Sequence, residues 1–363
     1  MSFREFMAAA LYEPGLGYYT SAGRKVGAEG DFYTSSNVHA LFGRTIAREL
    51  VRMWENLGSP DHHEIVEVGA AGGQLALDIL DAIRDLSPPC YGGVTYRLIE
   101  AEPSLREVQQ LKLASHLTHL AWSSPAELAT GSIRFIGTLL SNELIDALPV
   151  HLVEMTREGL REVMVDFDGA SFVERLLPPS TPELAERFTS LGLQLIPGQR
   201  GEINLESPRW LAGVAAALER GFVLTIDYGH PAQELYAAAR MNGTLLCYHC
   251  HSTSDDPYLR VGEQDITSHV DFTTLMQWGE RLGLSTVWFG EQYRFLMSAG
   301  IMEELMALEA RATSEQEVLK HRLAMKKLIL PDGGMGDTFK VLIQSKGVHT
   351  PTLLCMRKLA EIF

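Results

Sequence analysis

Cysteine is scarce in this sequence of 363 residues. The four cysteines are too few and too widely spaced to form a disulfide framework in a chain of this length. We therefore interpret them as thiols in a reducing compartment. They are Cys90, Cys247, Cys250 and Cys355.

Long apolar runs are also absent. None approaches the roughly 20 residues that an α-helix needs to cross a bilayer, which predicts a protein without membrane insertion. The opening residues, MSFREFMAAALYEPG, have no apolar core followed by a cleavage site and lack the Arg- and Ser-rich character of a transit peptide. These absences predict a cytoplasmic protein of bacterial type.

Positive charge is in deficit. The chain carries 31 Lys and Arg against 46 Asp and Glu, a net charge of −15. No run of basic residues offers the concentrated positive charge that nucleic acid requires, so we expect no nucleic-acid partner. With 46% hydrophobic residues, the composition favours a globular protein of one large domain, or of two that share a core.

Apolar segments of strand length alternate with helical segments from Ile65 to Ser141. The strand-like segments are EIVEVG, TYRLIEA, LTHLAW and IRFIGTLLS, and the helical ones are LALDILDAIRDL and SLREVQQLKLASH. Regular alternation of this kind implies crossover connections and a parallel sheet.

The alternation stops after the fourth strand. Residues 151–177 predict three short strands, the parallel pattern resumes with FVLTIDYG, and a long helix is predicted from Ile301 to about Ile329. The whole pattern predicts an α/β fold. It has a seven-stranded, mostly parallel sheet, an N-terminal helical segment, and an antiparallel insert between strands four and five.

This pattern also divides the chain into domains. Residues 1–60 form an N-terminal helical lid segment, 61–149 and 221–347 the core, 150–220 an inserted subdomain on the substrate side, and 348–363 a C-terminal tail. The insert leaves the fourth strand at its carboxyl end, beside Asn142 and Glu143. We therefore expect the insert and the N-terminal segment to cover that edge of the sheet.

A cluster of small residues, Gly69 to Gly73, joins the first strand to the next helix. A dinucleotide fingerprint requires G-x-G-x-x-G, but Ala71 stands at the second glycine and Gln74 at the third. A phosphate-binding P-loop is excluded because no Gly-Lys-Ser/Thr follows. The looser loop E/D-x-G-x-G-x-G is typical of S-adenosylmethionine sites, and Glu67, Gly69 and Gly73 fit it. An ordinary tight turn is the alternative.

Glu100 ends the second strand and is the candidate ribose ligand. A carboxylate at this position can accept hydrogen bonds from two ribose hydroxyls at once. Glu102, two residues later, is the competitor for this role. We expect Glu102 to serve the N-terminus of the helix that follows.

Polar residues also follow the fourth and fifth strands. Asn142, Glu143 and Asp146 come after LLS, and Asp227 and Tyr228 come after LTI. In an open parallel sheet the carboxyl ends of the strands form the ligand-binding edge, so these side chains stand where a methyl acceptor would arrive. The alternative is a helix capped by Asn142, with Glu143 on its dipole.

The stretch CYHCHS, residues 247–252, invites a zinc interpretation. In a strand, however, Cys247, His249 and His251 would face one way and Cys250 the other. No second cysteine pair exists to complete four ligands, so we expect no metal.

These stretches in order resemble one family, the MidA-type S-adenosylmethionine-dependent methyltransferases, and the match runs nearly end to end. The family includes the mitochondrial arginine methyltransferase that assists assembly of respiratory complex I. The resemblance implies a Rossmann-like class I methyltransferase fold. It rests on FMAAALYEPGLGYYT, GDFYTSSNVHALFG, VEVGAAGGQLALDIL, LIEAEPSLREVQ, SNELIDALPV, IDYG, GTLLCYHCH, GEQDITSHVDF, FGEQYRFLMSAGI and GDTFKVLI.

Two positions depart from the family pattern. The loop is usually Gly-Pro-Gly-x-Gly, and Ala71 replaces its second glycine; the usual Thr-Ser-Pro-Glu block ends here in Asn37 and loses a carboxylate. The resemblance implies that S-adenosylmethionine binds and leaves as S-adenosylhomocysteine. The cofactor-binding residues it implies are Glu67, Gly69, Ala71, Gly73, Glu100, Thr34, Ser35 and Asn142.

The resemblance further implies methyl transfer to an arginine of a protein, with a subunit of an NADH:quinone oxidoreductase as the first candidate. Because a guanidinium stays protonated at neutral pH, the site should hold two acids that orient it. Glu143 and Asp227 are the leading candidates. The other catalytic candidates are Asn142, Asp146 and Asp265, with Tyr228 and His251 to orient the acceptor.

Three alternatives remain open at this point. The chain could be a non-catalytic assembly chaperone that keeps the fold, or a methyltransferase for a small molecule. A nicotinamide dehydrogenase is the third, and the spacing of the glycine loop disfavours it.

Overall fold

The structure is a computed structural model of the chain and describes residues 1–21, 39–331 and 335–358. The strands are β1 (His63–Val68), β2 (Val94–Ile99), β3 (Leu120–Ser123), β4 (Phe135–Asn142), β5 (His151–Thr156), β6 (Gly159–Phe167), β7 (Phe172–Leu177), β8 (Arg200–Ile203), β9 (Leu218–His230), β10 (Leu246–His249), β11 (Ser252–Ser254), β12 (Asp265–Thr267), β13 (Val270–Asp271), β14 (Ser285–Glu291) and β15 (Phe339–Lys346). The α-helices are α1 (Phe3–Tyr12), α2 (Ala40–Asn56), α3 (Gln74–Leu86), α4 (Pro88–Gly93), α5 (Pro103–Lys112), α6 (Pro125–Ala129), α7 (Pro182–Leu191), α8 (Glu206–Ala217), α9 (Ala232–Leu235), α10 (Phe272–Arg281), α11 (Gln292–Ala299), α12 (Ile301–Arg311) and α13 (Glu315–Ile329).

The main sheet has the strand order β14-β15-β9-β4-β1-β2-β3. The pairs from β9 to β3 are parallel, and β14 runs antiparallel to β15. The predicted α/β fold with seven mostly parallel strands is therefore confirmed. The structure adds β13, a two-residue strand that pairs with the end of β9.

The chain divides into two compact units. Unit one comprises residues 1–21, Ile145–Arg209 and Tyr228–Leu275. Unit two comprises 39–144, Trp210–Asp227 and 276–358 apart from 332–334. The domain bounds that we inferred from the sequence differ from these two units and remain a prediction.

Unit one contains two small antiparallel sheets, β7-β6-β5-β8 and β11-β10-β12. Helix α1 begins at a capping box formed by Ser2 and Glu5, which satisfies backbone N–H groups at its first turn. Phe3, Met7 and Leu11 recur on one face of this helix. They pack with buried residues of both sheets and form the larger core of the unit.

In unit two, β1, β4 and β9 approach most closely where two glycines face each other. Gly137 of β4 pairs with Gly221 of β9 and, on the other side, with Glu64 of β1. A Cβ on Gly221 would overlap the carbonyl oxygen of Gly137, and a Cβ on Gly137 would overlap that of Glu64. Only glycine allows this approach of backbone to backbone.

The prediction of a single long helix from Ile301 to about Ile329 is wrong. The structure has α12 and α13 instead, and the N-cap of α13 is Ser314, whose side chain accepts a hydrogen bond from the backbone N–H of Glu317. A serine N-cap of this kind begins a new helix. Among the described residues no helix is both long and apolar enough to cross a membrane.

The glycine contact generates a stability prediction. Gly221→Ala should lower the free energy of unfolding by about 3 kcal/mol or more, because the added methyl group forces the two strands apart. Thermal unfolding followed by circular dichroism measures this. The control is Gly92→Ala, where a Cβ meets nothing within 4 Å. If both variants melt like the wild type, the close approach is not a constraint.

Candidate active site

Near the carboxyl edge of the sheet in unit two, paired residues of four neighbouring strands form one row across the sheet. Val68 of β1 lies opposite Ile99 of β2 and Ser141 of β4, and Ser141 lies opposite Thr225 of β9. The next residues along three of these strands are Gly69, Glu100 and Asn142. The register therefore brings three predicted cofactor-binding residues to the same edge of the sheet.

The glycine loop follows β1 and turns sharply. Gly69, Ala71 and Gly73 have φ angles of +79°, +45° and +79°, and Gly73 is the N-cap of α3. Glycine adopts such angles without strain, whereas alanine does so at a cost. The loop presents the N-terminus of α3, as expected for a site that holds a ligand against backbone N–H groups.

Glu67 lies inside β1, one residue before Val68, and is buried. The hydroxyl of Tyr96 donates a hydrogen bond of 2.7 Å to its Oε2 atom. Burial raises the pKa of Glu67 to about 7, and the bond from Tyr96 opposes this effect. Glu67 thus lies two residues before Gly69 and is bonded to the neighbouring strand β2 through Tyr96.

Glu100 is buried at the end of β2. Its Oε1 atom accepts the backbone N–H of Glu102 at 3.0 Å, and its Oε2 atom accepts the side-chain amide of Gln109 at 3.1 Å. Burial raises the pKa of Glu100, while these hydrogen bonds lower it. Glu102 is the N-cap residue of α5, as expected, although its side chain makes no capping bond.

Asn142 and Glu143 end β4. The amide of Asn142 donates to Glu143 Oε1 at 3.1 Å, and Glu143 has a φ angle of +51°, a conformation that is strained for a residue other than glycine. The alternative of a helix capped by Asn142 is wrong, because the residues that follow form bends and turns.

Two oxygens at this end of β4 are buried. Asn142 Oδ1 and Ser141 Oγ have no hydrogen-bond partner within the part of the chain that the structure describes. Buried polar atoms are normally paired, so these oxygens are suited to accept hydrogen bonds from a bound molecule.

Asp227 is fully buried on β9 and is joined to the end of β4. Its Oδ2 atom accepts the backbone N–H of Leu144 at 3.3 Å, and Glu143 donates its own N–H to the carbonyl of Ile226 at 2.9 Å. The structure thus brings together Glu143 and Asp227, the two leading catalytic candidates.

The residues of unit two fit S-adenosylmethionine. Glu100 is a carboxylate suited to two ribose hydroxyls, the loop and the N-terminus of α3 offer backbone N–H groups, and Asn142 Oδ1 is an acceptor suited to the amino group of the cofactor. Thr34 and Ser35, which were also predicted to bind it, lie outside the described residues.

Unit one holds the other acidic candidates, each beside a phenol. Tyr228 donates to Asp146, and Tyr19 donates to Asp265 at 2.9 Å. The ring of Tyr12 stacks on that of Tyr19. Burial raises the pKa of Asp146 to about 6, and the bond from Tyr228 opposes this. Both acids are buried, so the phenols supply hydrogen bonds where water is excluded.

His251 lies in the exposed turn between β10 and β11, away from any strand. The sequence argument against zinc assumed one strand through Cys247, His249 and His251, and this premise holds only as far as His249. Within the described residues, no group of three or more His, Cys, Asp or Glu side chains is arranged to hold a metal ion.

Two residues of these networks were missed by the sequence analysis. Tyr19 belongs to the segment GLGYYT, and Gln109 lies in α5. The one available signal was a glutamine on the buried face of a predicted helix. Its partners come from distant parts of the chain, so the sequence does not name them.

Comparison with known proteins places these features in context. Residues 45–290 match the family model described as "Putative S-adenosyl-L-methionine-dependent methyltransferase". The protein arginine methyltransferase NDUFAF7 homolog, mitochondrial, of Drosophila melanogaster is 29% identical over 95% of this chain and 81% of its own length. The human protein arginine methyltransferase NDUFAF7, mitochondrial, is 27% identical over 92% and 78%.

A solved structure is similar over nearly the whole chain. A crystal structure of a protein from Burkholderia thailandensis bound to S-adenosyl-homocysteine superposes with a TM-score of 0.88. Its sequence is 31% identical, and the match covers 99% of this chain and 90% of that one.

The raised pKa of Asp146 generates a prediction for stability. The folded chain binds a proton at Asp146 more tightly than the unfolded chain, so the stability from this group is present below about pH 4 and is lost as the pH rises through about 6. Asp146→Asn carries no charge to bury. We compare the Tm of this variant minus the Tm of the wild type at the two pH values. This difference should be more positive at pH 8 than at pH 4, by at least about 2 °C.

Scanning calorimetry at the two pH values measures this difference. The exposed Asp255 provides the control, since Asp255→Asn removes an equal charge from the surface. An equal Tm difference for Asp146→Asn at both pH values would contradict the prediction.

Proposed function

This chain belongs to the S-adenosylmethionine-dependent methyltransferase family whose model it matches, and we propose that it methylates an arginine side chain of a partner protein. It is an enzyme with S-adenosylmethionine as cofactor, as its resemblance to the MidA type predicted. The proposal concerns the acceptor. It is supported by the names of the relatives from Drosophila melanogaster and human, both protein arginine methyltransferases.

We assign cofactor binding to unit two. Gly69, Ala71 and Gly73 form the loop, Glu100 takes the ribose hydroxyls, and Asn142 takes the amino group. Glu67 lies two residues before Gly69 and is bonded to β2 through Tyr96. The register of the strands supports the assignment, because Gly69, Glu100 and Asn142 follow residues that are paired across β1, β2 and β4. When bound, the cofactor supplies an activated methyl group on a sulfonium.

The observation that carries the arginine proposal is that Glu143 and Asp227 lie next to each other along paired chain segments, because backbone N–H groups of Glu143 and Leu144 donate to Ile226 and Asp227. Both lie in unit two: Glu143 directly follows β4 and has a strained backbone, and Asp227 lies within β9 and is fully buried. Two carboxylates at one strand edge suit a planar guanidinium, which offers donors to both. A single neutral nucleophile would need no such pair.

The two acids have a chemical task. A protonated guanidinium is a poor nucleophile, and carboxylates that hold its N–H groups fix the plane of the cation and draw positive charge away from the attacking nitrogen. We assign to Glu143 and Asp227 this orienting role, and to one of them the acceptance of the proton that the nitrogen loses.

The acids of unit one are further candidates. Asp146 and Asp265, with Tyr228, remain proposed contacts of the acceptor, supported by their burial and their phenol partners. His251 is exposed in a turn and has the weakest support of this set.

The partner is proposed to be a protein that carries the acceptor arginine, and a subunit of an NADH:quinone oxidoreductase is the first to test. The cytoplasmic location stays a prediction, since the named relatives are mitochondrial. A methyltransferase that acts on a small molecule, and a chaperone without turnover, are the outcomes that would replace the proposal.

Substitution of the two acids tests it. Glu143→Gln and Asp227→Asn should each lower the single-turnover rate of methyl transfer to an arginine peptide by at least about 100-fold, the scale for loss of one preorganised electrostatic partner. Affinity for S-adenosylhomocysteine should change little. The measurement is mass spectrometry of the peptide after rapid quench, with affinity from calorimetry.

The exposed Glu107 supplies the matched control, and Glu107→Gln should react like the wild type. Replacing the target arginine by lysine should abolish methylation, because a point-charge ammonium does not fill a planar two-acid site. Wild-type rates in both acid variants would refute the arginine mechanism.

A further inference from the structure

Helix α5 has an unusual buried face. Gln109 is fully buried, whereas Val108 and Leu111 of the same helix are 46% and 80% exposed. A helix normally buries its apolar residues and leaves amides in water. The face that α5 buries is therefore occupied by a polar side chain, that of Gln109, and its contacts hold the helix in place.

Every hydrogen-bonding atom of the Gln109 amide has a partner. Its Nε2 atom donates to the carbonyl oxygen of Ala71 at 2.8 Å and to Glu100 Oε2 at 3.1 Å, and its Oε1 atom accepts the indole N–H of Trp122 at 2.9 Å. Because an indole can only donate, Trp122 fixes which end of the amide faces the other two groups.

The contact at Ala71 falls on the strained residue of the glycine loop. With a φ angle of +45°, Ala71 occupies a conformation that is strained for a residue with a Cβ. The bond from Gln109 holds its carbonyl in that conformation. The same side chain also packs beside Gly73, where a Cβ would lie in van der Waals contact, 3.4 Å, with Gln109 Cγ.

The contact at Glu100 affects both the direction and the charge of the carboxylate. Burial raises the pKa of Glu100, and hydrogen bonds from Glu102, Gln109 and Ala101 lower it. The charge of Glu102 acts in the raising direction. Arg106 donates to the backbone carbonyl of Glu100 at 2.7 Å. Gln109 is the neutral side chain that donates to this carboxylate.

We propose that Gln109 is a positioning residue of the cofactor site, which ties the carbonyl of Ala71 to the carboxylate of Glu100 and so holds the glycine loop and the ribose ligand in one arrangement before the cofactor binds. Trp122 acts through Gln109 by orienting its amide. The inference rests on the proposed role of Glu100 as ribose ligand and is independent of the acceptor.

Calorimetric titration with S-adenosylhomocysteine tests the proposal without turnover. Gln109→Met keeps the length of the side chain and removes its donors and acceptor, and should weaken binding by about tenfold or more. Trp122→Phe leaves the amide free to rotate and should give a smaller loss. The neighbouring Gln110 is exposed, so Gln110→Met is the matched control and should bind like the wild type.

Two further readouts separate positioning from general destabilisation. If Gln109 keeps Glu100 ionised, Gln109→Met should move the pH at which binding is half lost toward higher values, because the bound form needs the carboxylate. The losses of Gln109→Met and Glu100→Gln should also be non-additive, since both disrupt one contact. Titration from about pH 5 to 8 and the double variant supply these data.

The outcomes are distinct. Wild-type affinity in Gln109→Met, or a loss that is additive with Glu100→Gln and the same at every pH, overturns the proposal. Should Gln109→Met fail to fold, Trp122→Phe decides the question by the same criteria. If Glu100→Gln itself binds like the wild type, the proposed ribose ligand is wrong, which is a separate failure from that of Gln109.

Discussion

The close approach of β4 and β9 at Gly137 and Gly221 is the constraint on which the edge of the sheet in unit two depends. The two glycines face each other with no room for a Cβ, so a slip of one residue would set a side chain against a backbone carbonyl. The register that results places Asn142 opposite Ile226. The register between β4 and β9 therefore determines where the polar residues at this edge of the sheet lie relative to one another.

The structure also buries several acidic side chains. Glu67 and Asp146 have pKa values raised by burial to about 7 and about 6, and each accepts a hydrogen bond from a tyrosine. A buried carboxylate lowers stability unless its hydrogen bonds compensate. Carboxylates with perturbed pKa values are enriched at functional sites, so each of these two acids is a candidate for substitution within its own unit.

Local signals were enough to predict the strands and the glycine loop, because apolar periodicity and turn residues act over a few positions. The break between α12 and α13 was missed although Ser314, with Glu317 three residues later, is a helix-capping signature that the sequence contains. Gln109 could not be assigned, since its partners lie 9, 13 and 38 positions away along the chain. Ala71 was recognised as a departure from the family, but its positive φ was not predicted.

The hydrogen bond between Trp122 and Gln109 has an optical consequence. Indole emission responds to the polarity and mobility of the group that accepts its N–H, and here that group also contacts the loop and Glu100. Rearrangement of the amide would therefore change the fluorescence of Trp122. Because the chain has five tryptophans, the part of the emission that Trp122→Phe removes is the label-free signal for the state of this edge.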